Sequence, residues 1–259
     1  MIRADLDHVA VAAEHVELLW PRYAGDLGGT WEGGGTSPGF YSAQVRYANG
    51  MKVEGLHPAR VDDNDFLRRF LDHSGPGPHH LTFKVPDIRA ALADVEGSGY
   101  HAVGVNLSDP GWQEAFLHPK QATGIVVQLA QSGEGGEWVP EPAPASFPTG
   151  PTATLVRVAH HVADLAEARR LFEQLLGGRP LDEGDGWVEL GWPGPGRIRL
   201  SQVGPDDAWV GNRTGRLHHL AFDASDPAAV PGAVAGPGGG WVVPPEANLG
   251  VRLVLTPTA

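Results

Sequence analysis

The chain has no cysteine in its 259 residues, which excludes disulfides, thiolate metal ligands and cysteine nucleophiles. Only nitrogen and oxygen remain as donors for any metal. No apolar run approaches the roughly 18 residues that a membrane-spanning helix needs. The opening MIRADLDHVAVA also lacks the basic start and apolar core of a secretion signal, so the expected location is cytoplasmic. Basic residues are outnumbered, with 19 Lys and Arg against 31 Asp and Glu and a net charge of −12. There is thus no positive field for nucleic acid or for an anionic membrane surface. The expected partner is a small-molecule substrate, and a homodimer stays open.

What the chain has in plenty is glycine and proline, 36 and 23 residues, placed at turns between periodic segments. This pattern predicts many short strands. Residues 6–12 alternate as a strand. A helix is expected over Glu14–Leu27, kinked by Pro21 and stopped at Gly28-Gly29. Residues 40–48 and 50–57 read as a hairpin turning at Asn49-Gly50. The plan then repeats: a strand at 80–85, a helix at about 87–98 ending at Gly99, a strand near 101–105, and a hairpin of 112–118 with 124–131. Residues 133–151 are rich in Gly and Pro and read as a linker. Beyond it come a strand at 155–162, a helix at about 164–176, and strands at 187–192, 197–203, 218–222 and 250–255. Gly33-Gly34-Gly35 reads as a flexible loop.

One segment plan is written twice with its polar residues in place. His8 on an opening strand is followed by Glu54 on a closing strand, and His80 is followed at nearly the same separation by Gln128. Two such units folded face to face would bring His8, Glu54, His80 and Gln128 around one point. That donor set suits a single divalent ion such as zinc, iron, cobalt, nickel or manganese. Arg46 shares the strand parity of Gln44 and is expected to face inward. His118 and Lys120 fall at a strand end near the expected mouth. His79 alternates away from His80 and reads as structural, as do His160 and His161.

These residues, together with the runs Gly77-Pro78-His79-His80-Leu81-Thr82-Phe83-Lys84-Val85 and Phe116-Leu117-His118-Pro119-Lys120, resemble the vicinal oxygen chelate superfamily. That group includes glyoxalases, bleomycin-resistance proteins and extradiol dioxygenases. The N-terminal half looks most like methylmalonyl-CoA epimerase. The resemblance implies an α+β fold of four βαβββ modules forming two incomplete eight-stranded barrels. Residues 1–132 would form a metal-binding glyoxalase-like domain, and 152–259 a degenerate second one.

The resemblance also implies a metal-dependent isomerase, epimerase or lyase that passes through an enediolate-type intermediate. Two alternatives are an extradiol-type ring-cleaving dioxygenase and a non-catalytic protein that binds a small molecule such as an antibiotic. Where the epimerase carries its catalytic glutamate this chain has Gln44, and an amide is no general base. Glu114, counted back across the second hairpin as the mate of Gln44, is the expected base, with Glu54 the other candidate. Gln44, Arg46, His118 and Lys120 would contact substrate. In the second half Arg157 stands where His8 does, Ser201 and Val254 look like the closing positions, and only His219 survives as a donor.

Overall fold

The computed structural model describes residues 1–135, 139–203 and 216–258, and Gly136, Glu137 and Trp138 of the expected linker lie outside them. The first eight-stranded sheet is built from β1 (Asp5–Ala12), β2 (Thr30–Ser37), β3 (Gly39–Arg46), β4 (Lys52–Ala59), β5 (Gly77–Lys84), β6 (Ala102–Asn106), β7 (Trp112–Leu117) and β8 (Val126–Ser132). Its order is β2-β3-β4-β1-β5-β8-β7-β6, so each module places its opening strand at the centre and its last-formed hairpin outward. The second sheet contains β9 (Thr154–Val162), β10 (Arg179–Gly184), β11 (Trp187–Gly191), β12 (Arg197–Gln202), β13 (Arg216–Ala224), β14 (Val234–Ala235), β15 (Trp241–Val243) and β16 (Leu253–Pro257). It repeats that order strand for strand, as β10-β11-β12-β9-β13-β16-β15-β14. Helices are few: α1 (Phe66–Ser74), α2 (Ile88–Gly97) and α3 (Leu165–Arg169), with short 3-10 and π segments. This is the expected α+β class with two sheets of the superfamily type. No helix among the described residues is long and apolar enough to cross a membrane.

Local chemistry accounts for the element ends. Pro21 has no N–H to continue a helix from the preceding turn, and the expected Glu14–Leu27 helix is divided into a 3-10 turn at Val16–Leu18 and a π-helical segment at Pro21–Asp26. Gly28 closes it at φ 67°, where a Cβ would come 2.2 Å from the Pro151 carbonyl oxygen. Asp87 and Asp164 cap the helices of the second and third modules in the same way. Each carboxylate accepts two backbone N–H bonds, from Arg89 and Ala90 and from Ala166 and Glu167.

Gly33-Gly34-Gly35 is not a loop but the middle of edge strand β2, paired with β3. A Cβ at Gly34 would lie 2.5 Å from the Tyr41 hydroxyl and 3.1 Å from the Trp31 ring. The glycines make room for aromatic side chains over the strand. β10 also escaped the periodicity because all its residues are exposed and show no apolar alternation.

By packing, the chain divides into two compact units. One draws on residues 1–8, 80–138 and 157–218, the other on 9–79, 139–156 and 219–259. In the first, Phe83 is fully buried and packs on Trp192 and Phe172 at ring distances of 5.1 and 6.2 Å. Phe83→Ala should cost about 3–5 kcal/mol in urea-induced unfolding, through lost burial and the cavity left behind. In the second unit Tyr47 packs on Phe222 at 5.0 Å, and its hydroxyl donates to the Tyr23 carbonyl at 3.0 Å. The linker has no regular element between 139 and 151, yet it is strapped down. Trp31 Nε1 donates to the Glu141 carbonyl at 2.9 Å, Tyr41 donates to the Glu141 carboxylate at 2.9 Å, and Phe147 packs against Trp20 and Trp31.

His57 on β4 stacks on Tyr41 at 4.9 Å, and its Nδ1 accepts the Val16 N–H at 3.2 Å. Burial holds its pKa below the ordinary histidine value, with Glu17 opposing. The folded state therefore favours neutral His57. Its stability is complete above about pH 6.5 and declines as pH falls toward the lowered folded pKa. In thermal melts across pH, His57→Gln, which keeps an acceptor but does not titrate, should flatten part of that decline.

Candidate metal centre

β1 lies between β4 and β5 at the middle of the first sheet, and is buried from His8 onward. Side chains of matching parity on these three strands converge on one side. His8, Glu54 and His80 are 1%, 8% and 5% exposed, and one ligand atom from each lies within 4.8 Å of the others. The two imidazole rings meet edge to face at 5.9 Å and 66°. Further along the same face Ala10, Ala12, Leu56, Leu67 and Leu71 form an apolar cluster with Phe40, Phe66 and Phe70, so α1 seals that end.

Neighbouring residues orient these donors. His8 Nδ1 donates to Asp7 Oδ2 at 2.7 Å, which makes Nε2 the ring atom presented to an ion, the usual support of a metal-bound histidine. Gln44 stands directly opposite Glu54, and its Nε2 donates to Glu54 Oε1 at 3.1 Å. In the other hairpin, Thr82 donates to Gln128 Oε1 at 2.5 Å and Gln128 Nε2 donates to Glu114 Oε2 at 2.7 Å. Trp112 Nε1 donates to the same Glu114 oxygen at 2.8 Å. Sequence reasoning missed Asp7, Thr82 and Trp112 as supports. Thr82 had a readable signal, since it shares the parity of His80 and is the register partner of Gln128.

Four expectations change on contact with the geometry. Gln128, counted as a fourth donor, has its amide oxygen on Thr82, so reaching an ion means giving up that bond. Glu114 is not the register mate of Gln44: Phe116 faces Gln128 as Gln44 faces Glu54, and Glu114 lies two residues along the same strand. Arg46 has the parity of Gln44, but its Nε donates to Glu32 Oε2 at 2.6 Å and its Nη2 also reaches the Glu32 carboxylate. Glu32 sits where the β2–β3 register shifts, between Trp31 and Gly33, so a β-bulge turns this carboxylate toward Arg46. His118 and Lys120 are exposed at the turn after β7, and Lys120 borders a cleft of about 420 Å³ with Tyr100, Arg170 and Gln174. His79 packs on Phe70 and Phe66, and burial pushes its pKa down to about 4, partly offset by Glu54.

In the second sheet the register also corrects one assignment. Gly191 faces Arg197 at the hairpin end as Arg46 faces Lys52, so two residues further on Glu189 faces Arg199 where Gln44 faces Glu54. Arg199, not Ser201, therefore occupies the Glu54 position. Val254 lies opposite Ala221 as Gln128 lies opposite Thr82.

The donor set of the first sheet fits a divalent ion. A buried carboxylate beside two buried imidazoles is costly unless a positive charge is shared among them, and two histidines with one carboxylate hold zinc or iron(II) in many sites.

Comparison with known proteins agrees with this geometry. Residues 7–116 match the family described as Glyoxalase/Bleomycin resistance protein/Dioxygenase superfamily. An ethylmalonyl-CoA/methylmalonyl-CoA epimerase of Cereibacter sphaeroides is 32% identical over 136 residues, covering 49% of this chain and 96% of that protein. The mitochondrial methylmalonyl-CoA epimerase of Homo sapiens is 29% identical over 133 residues, covering 49% of this chain and 73% of its own length. A solved structure of a hypothetical protein from Staphylococcus aureus covers 98% of this chain with a TM-score of 0.63 at 11% identity, a likeness of fold alone.

Proposed function

Because the chain belongs to the glyoxalase/bleomycin resistance protein/dioxygenase superfamily, we propose that its N-terminal half is a divalent-metal-dependent isomerase of the epimerase kind. Its substrate would be a small acyl compound with two neighbouring oxygens, such as the CoA thioester of a branched dicarboxylic acid. The observation that carries this reading is the convergence of His8, Glu54 and His80. An ion held there would act as a Lewis acid, stabilising negative charge that develops on a substrate oxygen when the adjacent C–H loses its proton.

The remaining steps fall to the chain. Glu114 is the base. Its Oε2 is held by Trp112 and Gln128, which fixes the carboxylate so that Oε1 takes the proton. Inversion requires an acid on the opposite face. Gln44 carries no transferable proton at neutral pH, so that role falls to Glu54 from the other half of the sheet, positioned by Gln44. The apolar cluster behind α1 keeps water from that end of the site.

The test is exchange of the substrate α-proton in D2O, followed by NMR, over a panel of short-chain acyl-CoA thioesters, 2-oxoacids and hydroxyketones with and without added divalent metal. Metal-dependent exchange with at least one class is expected. No exchange with any, together with tight binding of an unreacted compound, would replace this reading by the binding-protein one, which Gln44 at the base position favours.

A further inference from the structure

The second sheet carries its own polar cluster where the first holds its donors. Arg157 is at the His8 position on β9, Arg199 at the Glu54 position on β12 and Glu189 at the Gln44 position on β11. Arg157 Nη1 donates to Glu189 Oε2 at 2.6 Å, and its buried Nε has no hydrogen-bond partner among the described residues. The Arg199 guanidinium lies 3.7 Å from the centre of the Trp187 ring, which holds it flat. Among the described residues it makes no ion pair. The side chains of Arg157 and Glu189 are 31% and 20% exposed, so solvent-borne ligands can reach them.

Two guanidiniums thus share one close carboxylate. Burial and the Arg157 charge both lower the Arg199 pKa, against the pull of Glu189 and Asp182, so the two cations repel each other. A pair that served stability alone would be matched by a second carboxylate. An arrangement with surplus positive charge, planar donors and a stacking surface is complementary to an oxyanion, which guanidinium binds in bidentate fashion.

We propose that the second sheet holds a metal-independent anion site in which Arg199 and Arg157 bind the carboxylate or phosphate group of a small molecule. Where the first sheet would recruit positive charge by holding an ion, the second supplies it as fixed arginines. The half that lost its metal donors keeps the ability to hold a negatively charged oxygen group.

Calorimetric titration of the metal-stripped full chain at low ionic strength, with inorganic phosphate and separately with malonate, tests this without depending on the first site. One-site binding of at least one probe is expected, weakened about tenfold or more by Arg199→Gln. The preferred probe identifies the group as phosphate or carboxylate. Arg199→Lys, which keeps the charge but loses the planar fork, should bind between the two and serves if the glutamine variant fails to fold. No binding of either probe by wild type, or binding unchanged in both variants, would overturn the proposal.

Discussion

Gently purified wild-type chain should contain about one equivalent of a divalent transition metal, and His8→Ala, His80→Ala and Glu54→Ala should each lose it. The three side chains contribute one ligand atom each within 4.8 Å of the others, so no remaining pair makes up for the loss of one. Plasma mass spectrometry reads the outcome directly. A second readout is thermal. An ion that binds only the folded state at a hundredfold above its dissociation constant adds about 2.7 kcal/mol, so a chelator should lower the wild-type melting temperature and leave that of His8→Ala unchanged. Asp7→Asn should weaken binding about 10–100-fold without abolishing it, because Asp7 orients the His8 ring and does not itself join the cluster. A wild type that stays metal-free after incubation with zinc, iron, cobalt, nickel and manganese would remove the metal-dependent reading and bring the binding-protein reading forward.

Glu114→Gln should slow α-proton exchange by about 10²–10⁴-fold, the usual contribution of a positioned base, while metal content and melting temperature stay at wild-type values. The substitution keeps an oxygen able to accept from Trp112 Nε1 and Gln128 Nε2, so shape and hydrogen bonds survive and only the basic oxygen is lost. The loss should appear in kcat with KM little changed, as for a group needed in the transition state and not for binding. Full exchange activity in the variant would pass the base role to Glu54. In that case Glu54→Gln should abolish exchange in metal-loaded protein.

Much of the fold could be read from local pattern. The alternation of residues 6–12, the Asn49-Gly50 turn, the stop at Gly99 and the doubled strand-helix-strand plan all reappear as elements. The central donors were legible for the same reason, since strand alternation and a repeated module settle which residues share a face. Edge strands were not. β2 is rich in glycine and β10 is wholly exposed, and neither shows the apolar period by which a buried strand announces itself. The docking of 139–151 was also invisible, because a Pro- and Gly-rich segment has no period and its hold comes from Trp31, Tyr41, Trp20 and Phe147.

The sequence by itself determined that nitrogen and oxygen are the only possible metal donors, that His8 and His80 recur with oxygen donors behind them, and that the second half lacks that set. Composition and period-2 alternation are local properties, and they decide chemistry and face. Only the tertiary structure decided which side chains meet. It set Glu114 two residues from the mate of Gln44, turned Arg46 to Glu32 at a bulge, engaged Gln128 with Thr82 and put Arg199 rather than Ser201 beside Arg157. A two-residue shift in register keeps a side chain on its face but changes its partner, and register depends on hairpin closure and on packing between strands far apart in the chain.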